Sequence, residues 1–190
     1  AMHTLDDFTF LVLPGVNGSD EQHWQSAWER AFPQLQRVEQ RDWDKPVYSE
    51  WAERLTQAVT QSTKRVVLVA HSLGTSLVMR WAHDHPELAG KIAGAFMVAT
   101  SDRDRFEGMP DSPTRGFAPM LLERLPFYTV VIASRDDERV SFERAQLFAQ
   151  AWGATLIDAG RQGHMGNAAK LGLWPFGLLW FGQFVASLEA

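Results

Sequence analysis

The sequence predicts an α/β fold of three layers, in which a mostly parallel sheet of about six strands carries helices on both faces. Two observations point there. Short apolar runs rich in β-branched and aromatic residues alternate along the chain with stretches of helical period, the pattern of βαβ units. No repeat and no low-complexity linker interrupts the alternation, so one domain over residues 1–190 is expected.

Taken in order, "FTFLVLPG" (8–15) is a β-rich run stopped by Pro14-Gly15. Trp24, Ala27, Trp28 and Ala31 then fall at i, i+3, i+4 and i+7, one face of a helix that Ser19 or Asp20 is placed to cap. "LQRVEQ" (35–40) is a weak strand, and Trp51, Leu55, Ala58 and Val59 mark a second amphipathic helix. The run 66–70 reads as a buried strand feeding a helix over about 73–84, ended near Pro86. "IAGAFMVAT" (92–100) and "FYTVVIAS" (127–134) are buried strands. Phe142, Ala145, Phe148, Ala149 and Trp152 give another helical stripe, "ATLIDAG" (154–160) a last strand, and a closing helix covers about 174–188. By chain order the first three strands are expected in the order 2-1-3, with the cleft beside the 66–70 strand. The Pro- and Gly-rich segment 101–119 reads as a long loop near that edge, a small lid or a mobile connection.

Composition excludes several classes. Without cysteine there are no disulfides, thiolate zinc sites or cysteine nucleophiles. A net charge of −5 with no basic face argues against nucleic acid. No His/Asp/Glu cluster has metal-ligand spacing, so neither metal nor cofactor is expected. "AMHTLDDF" lacks the basic and apolar regions of a signal peptide, and Ala1 reads as a cloning remnant. The apolar stretch at 171–185 is broken by Gly172, Pro175, Gly177 and Gly182 and falls short of the roughly 20 residues a bilayer needs, so a cytoplasmic protein without a membrane span is expected.

Four polar stretches converge on the carboxyl edge of such a sheet: "LPGVNGSD", "AHSLGTS", "ASRDDERVS" and "DAGRQGHMGN". Ser72 sits between strand and helix with Ala70 and Gly74 two residues to either side, the small residues that a strained strand-to-helix turn requires. Such a turn exposes the hydroxyl and aims the Leu73 N–H at an oxyanion. A serine needs a base, and the base an orienting acid; in this architecture the chain order is Ser, acid, His. Of six histidines, His164 alone follows the next strand-end acid, which is Asp136 or Asp137. Gly15 lets the first loop come close, making the Val16 N–H a second oxyanion donor, with Asn17 next.

Other residues read as structural. On a tight turn His71 points away from the cleft and packs. His23 is placed to line an acyl pocket, whereas Trp24 belongs to the buried stripe of its helix. His83 and His85 are solvated at a helix end, and Asp102 to Arg105 form a solvated loop face. Trp28, Trp51, Trp81 and Trp152 are core, while Trp174 and Trp180 with Phe176 and Phe181 pack on the sheet or form an exposed patch for a partner or a homodimer.

"LPG" with "HWQSAW", "RDWDKP" with Trp51, "AHSLGT", "SRDDERVSFERAQLFAQAWGA" and "GHMG" together resemble the small serine hydrolases related to retinoblastoma-binding protein 9, a branch of the α/β-hydrolase superfamily. The resemblance implies a triad of Ser72, Asp137 and His164 on a compact α/β-hydrolase fold, in which the elements read above leave no room for a separate cap domain. The family's acid usually precedes Pro-Tyr; here Asp137 precedes Glu138-Arg139. It further implies a carboxylesterase acting on small-molecule esters. A protein-interaction module on the same fold is the alternative, and an acyltransferase or amidase with the same triad is a third reading.

Overall fold

The computed structural model describes residues 4–190, so Ala1 lies outside them. The apolar runs become six strands: β1 (Phe8–Leu13), β2 (Leu35–Arg37), β3 (Arg65–Ser72), β4 (Ile92–Thr100), β5 (Tyr128–Ala133) and β6 (Thr155–Asp158). They form one sheet in the order β2-β1-β3-β4-β5-β6, and every pairing is parallel. The expected 2-1-3 order of the first three strands is observed, and β3 lies inside the sheet. Because all strands run the same way, Leu13, Ser72, Thr100, Ala133 and Asp158 end along one edge.

Alternation along β3 sorts its side chains between two cores. Val66, Leu68 and Ala70 join Trp51, Leu55, Trp81, Phe148 and Trp152 on one face. Val67 and Val69 join Trp24, Trp28, Phe181 and Phe184 on the other. The helices divide accordingly. α1 (Trp24–Ala31) packs on the second face, α2 (Tyr48–Gln61) and α3 (Leu73–Asp84) on the first. Two single turns follow, α4 (Pro86–Ala89) and α5 (Arg103–Phe106); then α6 (Phe142–Trp152) covers the first face and α7 (Pro175–Ala186) the second. Both β faces are thereby covered, as a parallel sheet requires.

Several local expectations are corrected. The cap of α1 is neither Ser19 nor Asp20 but His23, whose Nδ1 accepts from the Gln25 N–H at 3.0 Å. Ser19 is buried and donates its hydroxyl to Gln25 Oε1, while Asp20 accepts from the Gln22 N–H. β2 stops at Arg37, short of residue 40. The 101–119 segment is no plain loop: it contains α5 and a bridge from Arg115 to Val47. Asp102 and Arg103 are buried there, not solvated, because Arg144 on α6 grips the Asp102 carboxylate at 2.9 and 3.1 Å. His83 is exposed, as expected, and pairs with Glu123, whereas His85 is half-buried and stacks on Trp81. Trp174 and Phe181 are buried, whereas Phe176 and Leu179 stand exposed on α7.

Candidate active site

β3 ends on Ser72, which adopts φ 55° and ψ −119°. A non-glycine residue held at positive φ is strained, and such strain persists where surrounding packing over-determines it. Here the packing is visible at Gly74, where a Cβ would stand 2.1 Å from the Leu13 carbonyl oxygen. α3 therefore starts hard against the end of β1. A serine at an N-cap usually bonds the first turn of its helix, yet the Ser72 side chain makes no such bond. Thr75 Oγ1 instead takes the Ser72 carbonyl at 2.7 Å, and the Ser72 hydroxyl lies 2.8 Å from His164 Nε2.

His164 is carried on the loop after β6. Its Nδ1 lies 3.0 Å from both carboxylate oxygens of Asp137. The Asp137 side chain is almost fully buried, and its Oδ1 also accepts from the Arg139 N–H at 2.8 Å. Asp136 serves differently. It accepts from the Gly163 N–H at 2.8 Å and from Ser134 Oγ at 3.0 Å, bonds that hold its carboxyl below the usual carboxylate range. The geometry thus brings Ser72, His164 and Asp137 into one hydrogen-bonded line and leaves Asp136 out of it. Such a line can move a proton from the serine hydroxyl to the imidazole while the carboxylate fixes the ring's tautomer.

The His164 loop is tethered at four successive residues. Gln162 N–H donates to Ser134 Oγ at 2.8 Å, and Gly163 N–H to Asp136. The His164 carbonyl accepts from His71 Nε2 at 2.9 Å, and the Met165 carbonyl from Trp24 Nε1 at 2.9 Å. His71 therefore does not point away as expected. It is buried in the wall of the cleft, its ring centroid 5.1 Å from that of His164 and 4.7 Å from that of His23. A carbonyl only accepts, so His71 carries its proton on Nε2; burial pushes its pKa well down. The cap bond to Gln25 likewise leaves the His23 proton on Nε2. Burial first, and the Arg37 charge second, lower the His23 pKa to about 4. Both rings are neutral near pH 7 for that reason.

The first loop presses on the serine turn. A Cβ on Gly15 would lie 3.1 Å from Ser72 Cβ and 3.2 Å from the Leu73 nitrogen. Among the described residues the Val16 N–H has no acceptor, whereas the Asn17 N–H donates to the Trp43 carbonyl at 2.8 Å. Asn17 is therefore spoken for as a backbone donor, although the residue lines the cleft. The Leu73 N–H, in the first turn of α3, has no intrahelical partner. A cavity of about 560 Å³ opens over Ser72, lined by Val16, His23, His164, Arg103, Phe106 and Thr114 among others. The wall from 101–119 carried no signal in the sequence beyond its prolines and glycines. Among the described residues no group of three or more His, Asp or Glu is arranged to hold a metal ion, and no helix is long and apolar enough to cross a membrane.

A family model described as serine hydrolase matches residues 10–183. Among solved structures, a YdeN-like hydrolase from Pectobacterium atrosepticum is 34% identical over 95% of this chain and 91% of its own, with a TM-score of 0.83. The ydeN gene product from B. subtilis is 18% identical over 94% of this chain and 98% of its own, with a TM-score of 0.73. The esterase RhEst1 from a Rhodococcus species is 14% identical over 99% of this chain and 94% of its own, with a TM-score of 0.71. The last two likenesses are of fold alone. No curated protein matches the chain.

Proposed function

The chain belongs to the serine hydrolase family, within the α/β-hydrolase superfamily, and on that premise we propose that it cleaves small carboxylic esters through an acyl-enzyme on Ser72. The observation that carries the reading is the continuous contact from Ser72 Oγ to His164 Nε2 at 2.8 Å and from His164 Nδ1 to Asp137 at 3.0 Å.

His164 takes the serine proton as the oxygen attacks the ester carbonyl. The developing oxyanion rests on the Leu73 and Val16 N–H groups, each such donor being worth about 3 kcal/mol of transition-state stabilisation. His164 then returns the proton to the leaving alcohol, and water, activated by the same imidazole, releases the acid. Asp137 orients the ring and stabilises the imidazolium. His23 and Asn17, which line the cleft, are the residues proposed to contact the bound substrate. Within the family, the motifs from "HWQSAW" to "GHMG" favour the branch related to retinoblastoma-binding protein 9.

A fluorophosphonate probe followed by mass spectrometry tests the reading. An adduct on Ser72, lost in Ser72→Ala and strongly reduced in His164→Ala, supports it. A folded protein that takes up no probe, under conditions that label a control hydrolase, sinks it in favour of an interaction module.

A further inference from the structure

The wall of the Ser72 cavity contains a buried guanidinium with most of its hydrogen-bonding capacity unused. Arg103, on α5, is 7% exposed. Its Nη1 donates to Thr114 Oγ1 at 3.0 Å, and its Nε is buried without an acceptor. A guanidinium has five N–H donors, and a buried cation normally meets a carboxylate.

Two of the nearby carboxylates are engaged elsewhere. Asp102 is held by Arg144 at 2.9 and 3.1 Å, and Asp104 by Arg144 and the Met120 N–H. Glu107 contributes the largest favourable charge; its Oε1 accepts from the Phe117 N–H and its Oε2 is buried without a partner, yet it forms no ion pair with Arg103 and is not part of the cavity wall. Among the described residues Arg103 is in no ion pair.

Arg139 lines the same cavity, and its charge works against that of Arg103. Phe106 gathers the group: Arg105, Arg103 and Arg139 lie 4.8, 5.9 and 6.0 Å from its ring centroid. Against two wall arginines stands one wall carboxylate, the exposed Asp111. A buried guanidinium that meets its nearest carboxylate in no ion pair is only partly compensated, and a planar anion seated in the cavity completes the compensation. Arg matches a carboxylate bidentately, and the proximity of Glu107 and Asp111 disfavours a dianion such as a phosphate monoester.

We propose that the cavity takes an ester bearing a second, ionised carboxylate, paired by Arg103 with Arg139 as an outer cation. This rests on the ester-hydrolase reading of the same cavity. The hydrolysed bond is the ordinary ester: Ser72 takes the acyl group and releases the alcohol, then water releases the acid. The distal carboxylate is unchanged throughout.

Binding and turnover are measured separately. Calorimetric titration of Ser72→Ala with monomethyl adipate should show affinity at least tenfold above that of Ser72→Ala/Arg103→Gln. Ser72→Ala/Arg139→Gln should lose about threefold, and its exposed position keeps the test decisive if the Arg103 variant does not fold. Unchanged affinity in a folded Arg103→Gln background, or in Arg139→Gln when that background is lost, overturns the proposal. With active enzyme, kcat/KM for monomethyl adipate should exceed that for methyl hexanoate by tenfold or more; equality or preference for the neutral ester overturns it. Probe labelling of Ser72 with no charge preference fails this inference alone. A cavity that binds the carboxylate through Arg103 while Ser72 resists the probe fails the ester reading instead.

Discussion

The Trp24 indole nitrogen lies 2.9 Å from the carbonyl oxygen of Met165, a residue 141 positions away and adjacent to His164. With the His71 bond to the next carbonyl back, the helix α1 and the strand β3 hold the loop that presents the proposed base. The loop's own N–H groups are taken by Ser134 and Asp136, so its backbone is fastened from both sides of the sheet edge.

Replacing Trp24 with phenylalanine keeps most of the buried surface but leaves the Met165 carbonyl unpaired. Trp24→Phe should cost about 1–2 kcal/mol in urea unfolding. It should also lower kcat roughly tenfold with little change in KM, a split that steady-state kinetics on any accepted ester reads directly.

Asp136 and Asp137 are neighbours with separable duties. Asp137→Asn cannot hold His164 in the tautomer that accepts the serine proton, and kcat should fall about a thousandfold or more. Asp136→Asn keeps an oxygen for Gly163 and Ser134, and kcat should stay within about threefold. Equal losses in the two variants contradict the assignment.

Gly74 and Ala70 flank the serine but are not equivalent. A methyl at Gly74 meets the Leu13 backbone, so Gly74→Ala should destabilise by roughly 3 kcal/mol and displace α3 from β1. Ala70→Gly loses only a small side chain and backbone stiffness, about 1 kcal/mol. Chemical denaturation of both variants gives the comparison.

Stability should depend on pH through His23 and His71. A buried imidazole whose folded pKa lies below its unfolded value binds a proton in the unfolded chain first, so stability is full above about pH 6.5 and falls as pH drops toward 4. For His23, with a folded pKa of about 4, the loss across that window is roughly 3 kcal/mol. His71 adds in the same direction. His23→Asn, which can still cap α1, should flatten the fall in melting temperature between pH 7 and pH 5; an unchanged slope refutes the role of His23.

The sheet order and the serine turn were legible because each depends on short-range rules. Apolar runs of strand length and the small residues beside Ser72 are local, and the order of acid and histidine follows from which strands precede them. Most other side-chain partners across long sequence separations leave no such mark. Nothing local marks Arg144 as the partner of Asp102, 42 residues earlier, so the burial of Asp102 and Arg103 was invisible. His23 was placed at the cleft for its position after the first loop, yet its cap bond emerges only once α1 starts at Trp24 rather than near residue 20. The burial of His71 in the cleft wall depends on the loop after β6, whose His164 carbonyl reaches it from 93 residues away, and no local signal marks that contact.

Trp24 touches Trp28 at 4.7 Å and Trp174 at 5.1 Å between ring centroids, and its ring lies 6.2 Å from that of His71. Indoles this close share their electronic transitions, and imidazolium groups quench indole emission. The protein therefore carries an optical gauge beside its cleft. Near-ultraviolet circular dichroism will register whether α1, the His164 loop and the segment leading into α7 are docked together. Emission intensity will follow the protonation of the neighbouring imidazoles, with no label added to the chain.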